Sequence, residues 1–172
     1  QLRLKHRVLD GTHAQLWHLM RGFYDVIPSH LTSVFDYQEL ELLLCGIPVI
    51  DVSEWKRHSR YLGDYRRNGE EHLVIKWFWE VVESFSEEEK GRFLQFCTGS
   101  NRLPAHGFKA LQSNDGSFRA FSVQSVAKRE SAFPRAHTCF NKLDLPVYES
   151  KEELKESLGL CVHFELTGFT ID

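Results

Sequence analysis

Residues 133 to 148, FPRAHTCFNKLDLPVY, place one cysteine between two prolines. Cys139 has His137 two positions before it and Asn141 two positions after it. A nearby cation stabilises the thiolate, which is the form of cysteine that attacks carbonyl carbons. Alternation along an extended strand would place these three side chains on one face. The local chemistry therefore makes Cys139 a candidate nucleophile, while a thiol without a chemical role remains the alternative.

Two other kinds of chemistry would use the same segment. His137, Cys139, Cys161 and His163 form two pairs of potential zinc ligands, each pair with a single intervening residue. Structural zinc sites usually separate paired ligands by about two to four residues, so this spacing disfavours zinc, and we predict neither a metal nor another cofactor. A cysteine hydrolase would need a histidine base and an orienting group from elsewhere in the chain. No local signature of such a hydrolase surrounds Cys139.

The remaining cysteines, at positions 45, 97 and 161, lie in apolar segments. Free cysteine is among the most buried residue types, so we predict small buried hydrophobic side chains at all three positions. Four cysteines in 172 residues are too few for the disulfide framework of a secreted protein of this size. Reduced thiols predict a cytoplasmic protein, with the nucleus as a second location.

The composition disfavours nucleic-acid and membrane functions. A net charge of -3 at pH 7 gives no electrostatic case for nucleic acid, which would require a clustered basic surface. No apolar run reaches the roughly 18 residues that a membrane-spanning helix needs. The chain is 42% hydrophobic, with 13 phenylalanines and four tryptophans, so we expect an aromatic-rich core that folds without disulfide or metal.

Both helices and strands are predicted to position the reactive segment. Apolar periodicity and capping patterns predict helices over residues 13–27, after Asp36, over 53–61, over 71–85, after Ser86 and after Ser150. Alternation predicts a strand within residues 117–126 and another at the start of AHTCFNKLDLP. The glycine and proline of GIPV, residues 46–49, break the helical pattern and predict a hinge. We therefore predict an α+β fold.

The block around Cys139 resembles the active-site block of HECT-type ubiquitin ligases, LPxAHTCFNxLDLPxYES. Residues 134 to 150 are similar to it almost throughout, with Phe133 where leucine is usual. The stretch GFYDVIPSHLTSVFDYQELELLLCGIPVIDVSEWKRHSRY resembles the end of the family's N-terminal lobe and its linker. The stretch VIKWFWEVVESFSEEEKGRFLQFCTGSNRLPAHGFKALQ resembles the start of its C-terminal lobe. The sequence is most similar to the subgroup with WW and C2 substrate-binding domains.

The resemblance implies a division of the chain. Residues 1–45 would be the helical end of the N-terminal lobe, and residues 46–49 the hinge. Residues 50–172 would be the C-terminal lobe, with helices packed on a small β-sheet. The part of the N-terminal lobe that grips the conjugating enzyme would precede Gln1, so we expect this chain to be a piece of a longer protein.

The resemblance also implies an activity and its partners. Cys139 would attack the thioester that joins ubiquitin to a ubiquitin-conjugating enzyme, hold ubiquitin as a new thioester, and pass it to a lysine of a protein substrate. The alternative is a catalytically incomplete fragment that only binds ubiquitin or another partner.

Five further residues receive supporting roles from the resemblance, each with an ordinary structural role as the alternative. His137 would favour the thiolate or assist proton movement. Thr138 and Asn141 would position the thioester carbonyl. Phe169 corresponds to the tail phenylalanine that the family links to isopeptide formation, and Asp172 would orient or deprotonate the incoming lysine.

Overall fold

The structure is a computed structural model that describes residues 10–47, 49–113 and 115–163. This part of the chain contains eight α-helices, at His13–Val26 (α1), Ser29–Thr32 (α2), Tyr37–Cys45 (α3), Val52–Arg57 (α4), Tyr65–Asn68 (α5), Leu73–Glu83 (α6), Glu87–Thr98 (α7) and Lys151–His163 (α8). Its four strands are Arg60–Leu62 (β1), Ser122–Val126 (β2), Arg135–His137 (β3) and Lys142–Pro146 (β4). The predicted α+β class is confirmed. No helix within the described ranges is long and apolar enough to cross a bilayer.

The chain divides into two compact units between Leu44 and Cys45. In the first unit, α1 ends just before Pro28, because a residue that precedes proline is driven towards extended backbone. Helix α3 begins with the predicted capping box: Glu39 N donates to Asp36 Oδ1 at 2.8 Å, and Asp36 N donates to Glu39 Oε2 at 3.0 Å. Local sequence signals therefore set the helix boundaries in this unit.

The second unit contains one mixed sheet among its described residues, with strand order β1-β2-β4-β3. Strand β2 pairs in parallel with both β1 and β4. Strand β3 lies at the edge and pairs antiparallel with β4. Helix α7 contacts β3, β4 and the turn between them, and α8 packs against α6 and α7. The edge strand and its turn thus rest on a helical layer.

The core of the second unit is built around Trp55, which has no exposed surface. Its ring stacks on Phe108 with centroids 5.0 Å apart and meets Phe121 edge-on at 5.2 Å. Trp79 makes a further edge-on contact at 5.9 Å. Such pairs contribute about 0.5–1.5 kcal/mol each beyond the area they bury. The predicted aromatic-rich core is therefore present, and it joins α4, α6 and the residue that precedes β2.

Two predicted helix starts are shifted by stronger caps. Helix α4 begins at Val52, because Asp51 Oδ1 accepts hydrogen bonds from the backbone N–H groups of Ser53 and Glu54 at 2.8 and 3.3 Å. It also ends earlier than predicted, since the following residues join the sheet as β1. Helix α6 begins two residues later than predicted, where His72 supplies the cap.

Gly46 begins the predicted hinge and requires the absence of a side chain. Its φ of +75° lies in the left-handed region, and an added Cβ would collide with the carbonyl oxygen of Leu103. The next residue, Ile47, exchanges backbone hydrogen bonds of 2.8 and 3.2 Å with Leu103. Pro48 lies outside the described residues, and a hinge over residues 46–49 remains a prediction.

Candidate active site

Cys139 lies in a 3₁₀ turn, Thr138–Phe140, that joins the edge strand β3 to β4. Its side chain is exposed. Because β3 and β4 are hydrogen-bonded neighbours, the sheet holds this turn at both ends. The predicted strand alternation through Cys139 is wrong, since the chain turns after His137 instead of remaining extended. A short, anchored turn therefore presents the thiol at the surface.

Asn141 closes this turn from inside the protein, with 1% of its surface exposed. Its backbone is left-handed, with φ 47° and ψ 42°, a conformation that asparagine adopts more readily than most residues. Its Nδ2 donates hydrogen bonds to the carbonyl oxygens of Gln112 at 3.0 Å and Arg119 at 2.9 Å. The side-chain amide therefore bonds to a neighbouring hairpin, and a role for Asn141 in positioning the thioester carbonyl stays a prediction.

This hairpin, residues 112–119, is braced by the carboxylate of Asp115. Asp115 Oδ1 accepts hydrogen bonds from the Ser113 hydroxyl at 2.6 Å and from the Ser117 backbone at 2.9 Å. These bonds, with that from Ser113 the strongest, hold the pKa of the Asp115 carboxyl far below its usual value. These bonds fix the conformation of the hairpin whose carbonyl oxygens accept from the Asn141 amide.

Arg119 makes a second contact between the hairpin and the turn. Its Cζ lies 5.0 Å from the centroid of the Phe140 ring. Phe140 is half exposed, so this cation–π contact contributes about 0.5–1 kcal/mol. It places a guanidinium beside the residue that follows Cys139.

Thr138 lies close to the C-terminal end of α7. A Cβ added to Gly99, the residue after this helix, would lie 3.8 Å from Thr138 Cβ. The turn is therefore in contact with the end of helix α7 as well as with the 112–119 hairpin. A role for Thr138 in positioning the thioester carbonyl stays a prediction.

His137 contacts a carboxylate that the sequence analysis did not single out. His137 Nε2 lies 2.7 Å from Asp144 Oδ2, and Lys142 Nζ lies 3.0 Å from Asp144 Oδ1. Alternation along β4 already indicates that Lys142 and Asp144 face away from the core, because Leu143 between them is fully buried. Their proximity to His137 depends on the register of β3 against β4, which the sequence alone does not reveal.

The other three thiols differ from one another. Cys97 is fully buried as predicted, and burial raises the pKa of its thiol well above the ordinary value. Cys161 is only partly buried, and this burial raises the pKa of its thiol to about 12. The prediction for Cys45 is wrong: this side chain is exposed, because α3 has no buried residue. The structure therefore offers two exposed thiols in its described part, Cys45 and Cys139.

The four residues considered for zinc are not gathered into one site. His137 bonds to a carboxylate, while Cys161 and His163 each bond to a backbone carbonyl of α8. Within residues 10–47, 49–113 and 115–163, no group of three or more His, Cys, Asp or Glu side chains is placed to hold a metal ion. Phe169 and Asp172 lie outside the described residues, so their roles stay predictions.

Comparison with known proteins gives a consistent result along the whole chain. Residues 1–172 match the family model described as HECT-domain (ubiquitin-transferase). The chain is 48% identical over 148 residues to the E3 ubiquitin-protein ligase pub1 of Schizosaccharomyces pombe. The matched region covers 86% of this chain and 18% of that protein. It is 41% identical over 169 residues to the E3 ubiquitin-protein ligase RSP5 of Saccharomyces cerevisiae, covering 98% of this chain and 20% of that protein.

A human relative shows the same partial overlap. The chain is 46% identical over 159 residues to the E3 ubiquitin-protein ligase HECW2 of Homo sapiens, covering 92% of this chain and 10% of that protein. The chain thus spans between 10% and 20% of the length of these curated relatives.

Proposed function

Because the chain belongs to the HECT family of ubiquitin transferases, we propose that Cys139 accepts ubiquitin as a thioester and passes it to lysines of protein substrates. The observation that carries this proposal is the exposed thiol of Cys139 on a turn anchored by β3, β4 and the 112–119 hairpin. A carrier thiol must be reached by two large partners in succession. Exposure on an anchored turn suits that task better than a deep pocket.

The first step is an exchange of thioesters. The Cys139 thiol loses its proton, and its sulfur forms a bond to the carbonyl carbon at the C-terminus of ubiquitin. The bond from that carbon to the sulfur of the conjugating enzyme breaks, and the leaving thiolate takes up a proton. One thioester replaces another, so this step is nearly balanced in free energy.

The second step forms an amide and gives the reaction its direction. The uncharged amine of a substrate lysine attacks the same carbonyl carbon, a C–N bond forms, and the bond to Cys139 sulfur breaks. The proton lost by the amine returns to the Cys139 thiolate. In this proposal His137 assists proton movement, and the predicted roles of Phe169 and Asp172 belong to this step.

The partners follow from the proposed reaction. They are ubiquitin, a ubiquitin-conjugating enzyme held by a lobe outside this chain, and protein substrates, met in the cytoplasm or the nucleus. Residues 1–45 belong to the N-terminal lobe in this proposal, and residues 50–172 form the C-terminal lobe. Residues 46–49 act as the hinge that lets Cys139 move from the conjugating enzyme to the substrate.

A single-turnover assay tests the proposal. The full-length protein is mixed with ubiquitin-charged conjugating enzyme, and products are separated without reductant. We expect a ubiquitin adduct that dithiothreitol removes, that is absent in Cys139→Ala, and that becomes resistant to dithiothreitol in Cys139→Ser because an oxygen ester replaces the thioester. Cys45→Ala is the matched control, since it removes the other exposed thiol and should leave the adduct unchanged. An adduct that persists in Cys139→Ala would contradict the proposal.

A second candidate function is a binding module without chemistry. In this alternative, the chain contacts ubiquitin or another partner and forms no thioester. If binding were the whole function, the full-length protein would retain ubiquitin without forming any adduct sensitive to reductant. A cysteine hydrolase would instead release free ubiquitin from conjugates in the absence of a conjugating enzyme.

A further inference from the structure

Asp144 lies on β4, next to the edge strand β3 that leads into the turn with Cys139. In the antiparallel register, His137 pairs with Lys142 and Arg135 pairs with Asp144. Paired residues lie on the same side of a sheet, so these four side chains share one face. This face is directed away from the core, whereas Leu143, between Lys142 and Asp144, is buried on the core side. The sheet therefore places a carboxylate next to the histidine that precedes the reactive turn.

The contact between Asp144 and His137 determines which ring nitrogen carries the proton. The 2.7 Å separation of His137 Nε2 and Asp144 Oδ2 is that of a charge-assisted hydrogen bond. A carboxylate can only accept hydrogen bonds, so Nε2 must be the donor. In a neutral imidazole the other nitrogen, Nδ1, is then the proton acceptor.

Lys142 forms an ion pair with the second oxygen of the same carboxylate, although the angles at this contact are not those of a hydrogen bond. Its Nζ lies 3.0 Å from Asp144 Oδ1, and the Asp144 side chain is 17% exposed. The carboxylate is therefore held between an ammonium on its own strand and an imidazole on the neighbouring strand. This arrangement limits rotation of the carboxylate and, through it, rotation of the His137 ring.

We propose that Asp144 is a positioning residue for ubiquitin transfer, and this inference rests on the proposed function. By accepting the Nε2 proton it orients His137 and keeps Nδ1 as the acceptor. In the lysine step, the attacking amine forms the C–N bond and loses a proton to Nδ1. The C–S bond breaks, and Nδ1 returns that proton to the Cys139 thiolate. Asp144 itself contacts none of the reacting atoms.

Asp144→Asn tests this role because Lys142 decides how the new amide is oriented. The ammonium of Lys142 is a donor only, so the amide oxygen turns towards it and the amide NH₂ faces His137 Nε2. Nε2 must then accept, and the ring proton moves to Nδ1, which can no longer take up a proton. Removing the ammonium with Lys142→Met frees the amide to rotate. The double variant Asp144→Asn/Lys142→Met should therefore recover part of the lost rate.

The measurement is single-turnover discharge of the loaded full-length protein to free lysine. We expect Asp144→Asn to slow discharge about tenfold and His137→Ala to slow it about 100-fold, the lower end of the range for a positioned acid–base group. Adding Asp144→Asn to His137→Ala should cause no further loss, because the carboxylate acts only through the ring. Glu80→Gln, which removes an exposed ion pair to Lys151, is the matched control and should discharge normally.

A spectroscopic readout separates positioning of His137 from a purely structural contribution of Asp144 to the pairing of β3 with β4. Nitrogen-15 shifts of the His137 ring should show the proton on Nε2 in the unsubstituted protein and on Nδ1 in Asp144→Asn. If Asp144→Asn loaded and discharged ubiquitin normally, this inference alone would be overturned. It would also be overturned if Asp144→Asn slowed discharge as much in the His137→Ala protein as in the unsubstituted protein. Absence of any reductant-sensitive adduct in the unsubstituted protein would overturn the proposed function and this inference with it.

Discussion

Replacing Asn141 by alanine should destabilise the protein by about 3 kcal/mol. The substitution removes the Nδ2 hydrogen bonds to Gln112 and Arg119, which contribute about 0.5–1.5 kcal/mol each. It also places alanine at φ 47°, where an ordinary residue is disfavoured by about 1–2 kcal/mol. Asn141→Gly loses the same hydrogen bonds but tolerates the backbone, so it should cost about 1 kcal/mol less than alanine.

Asn141→Asp isolates the hydrogen bonds, because it keeps the shape of the side chain. Its carboxylate has no proton to donate to the two carbonyl oxygens and would repel them. We therefore expect Asn141→Asp to be at least as destabilising as Asn141→Ala. Stability is measured by urea unfolding monitored by tryptophan fluorescence. Thioester formation is measured on the same samples at a temperature where every variant is folded.

The expected order of stability is asparagine, glycine, alanine. A loss below about 0.5 kcal/mol for Asn141→Ala would refute the hydrogen-bond reasoning, since it lies under the contribution of even one such bond. A glycine variant less stable than the alanine variant would refute the backbone reasoning. A folded Asn141→Ala protein that formed the thioester at the normal rate would show that Asn141 does not position the turn.

Two further predictions follow from the thiol and tyrosine environments. Alkylation with N-ethylmaleimide at pH 8, mapped by mass spectrometry, should label Cys139 and Cys45 quickly. It should label Cys97 and Cys161 only when the protein unfolds, because burial shields these two thiols and raises their pKa. Labelling of Cys97 at the rate of Cys139 would contradict the described core. Burial also raises the pKa of Tyr61 and of Tyr148 from 10.0 to about 12. The unfolded chain then loses these protons first, so the free energy of unfolding should fall as pH rises from 10 towards 12, and urea melts showing no such fall would refute the prediction.

The helix boundaries and the identity of the reactive residue are local properties, and the sequence predicts them well. The capping boxes at Asp36 and Ser86 form as predicted because both partners lie within one turn of the same helix. The nucleophile is recognisable because its segment resembles a family block. The shifted start of α4 shows the limit of local prediction, since Asp51 and Ser53 are both acceptable caps and only their geometry decides between them.

The environment of Cys139 depends on contacts between residues far apart in sequence. Asn141 was predicted to share a face with the thiol, and only the pairing with a hairpin more than twenty residues earlier shows its amide turned inward. Cys45 looked buried because its segment is apolar, yet burial requires a partner surface and not only a pattern.

By itself, the sequence determined the class of fold, the family and the candidate nucleophile, because composition, periodicity and a contiguous block carry that information. Only the tertiary structure decided that the thiol is on an anchored turn and that Asp144 meets His137. The register between two strands sets that contact, and a shift of one residue would turn Asp144 to the opposite face of the sheet.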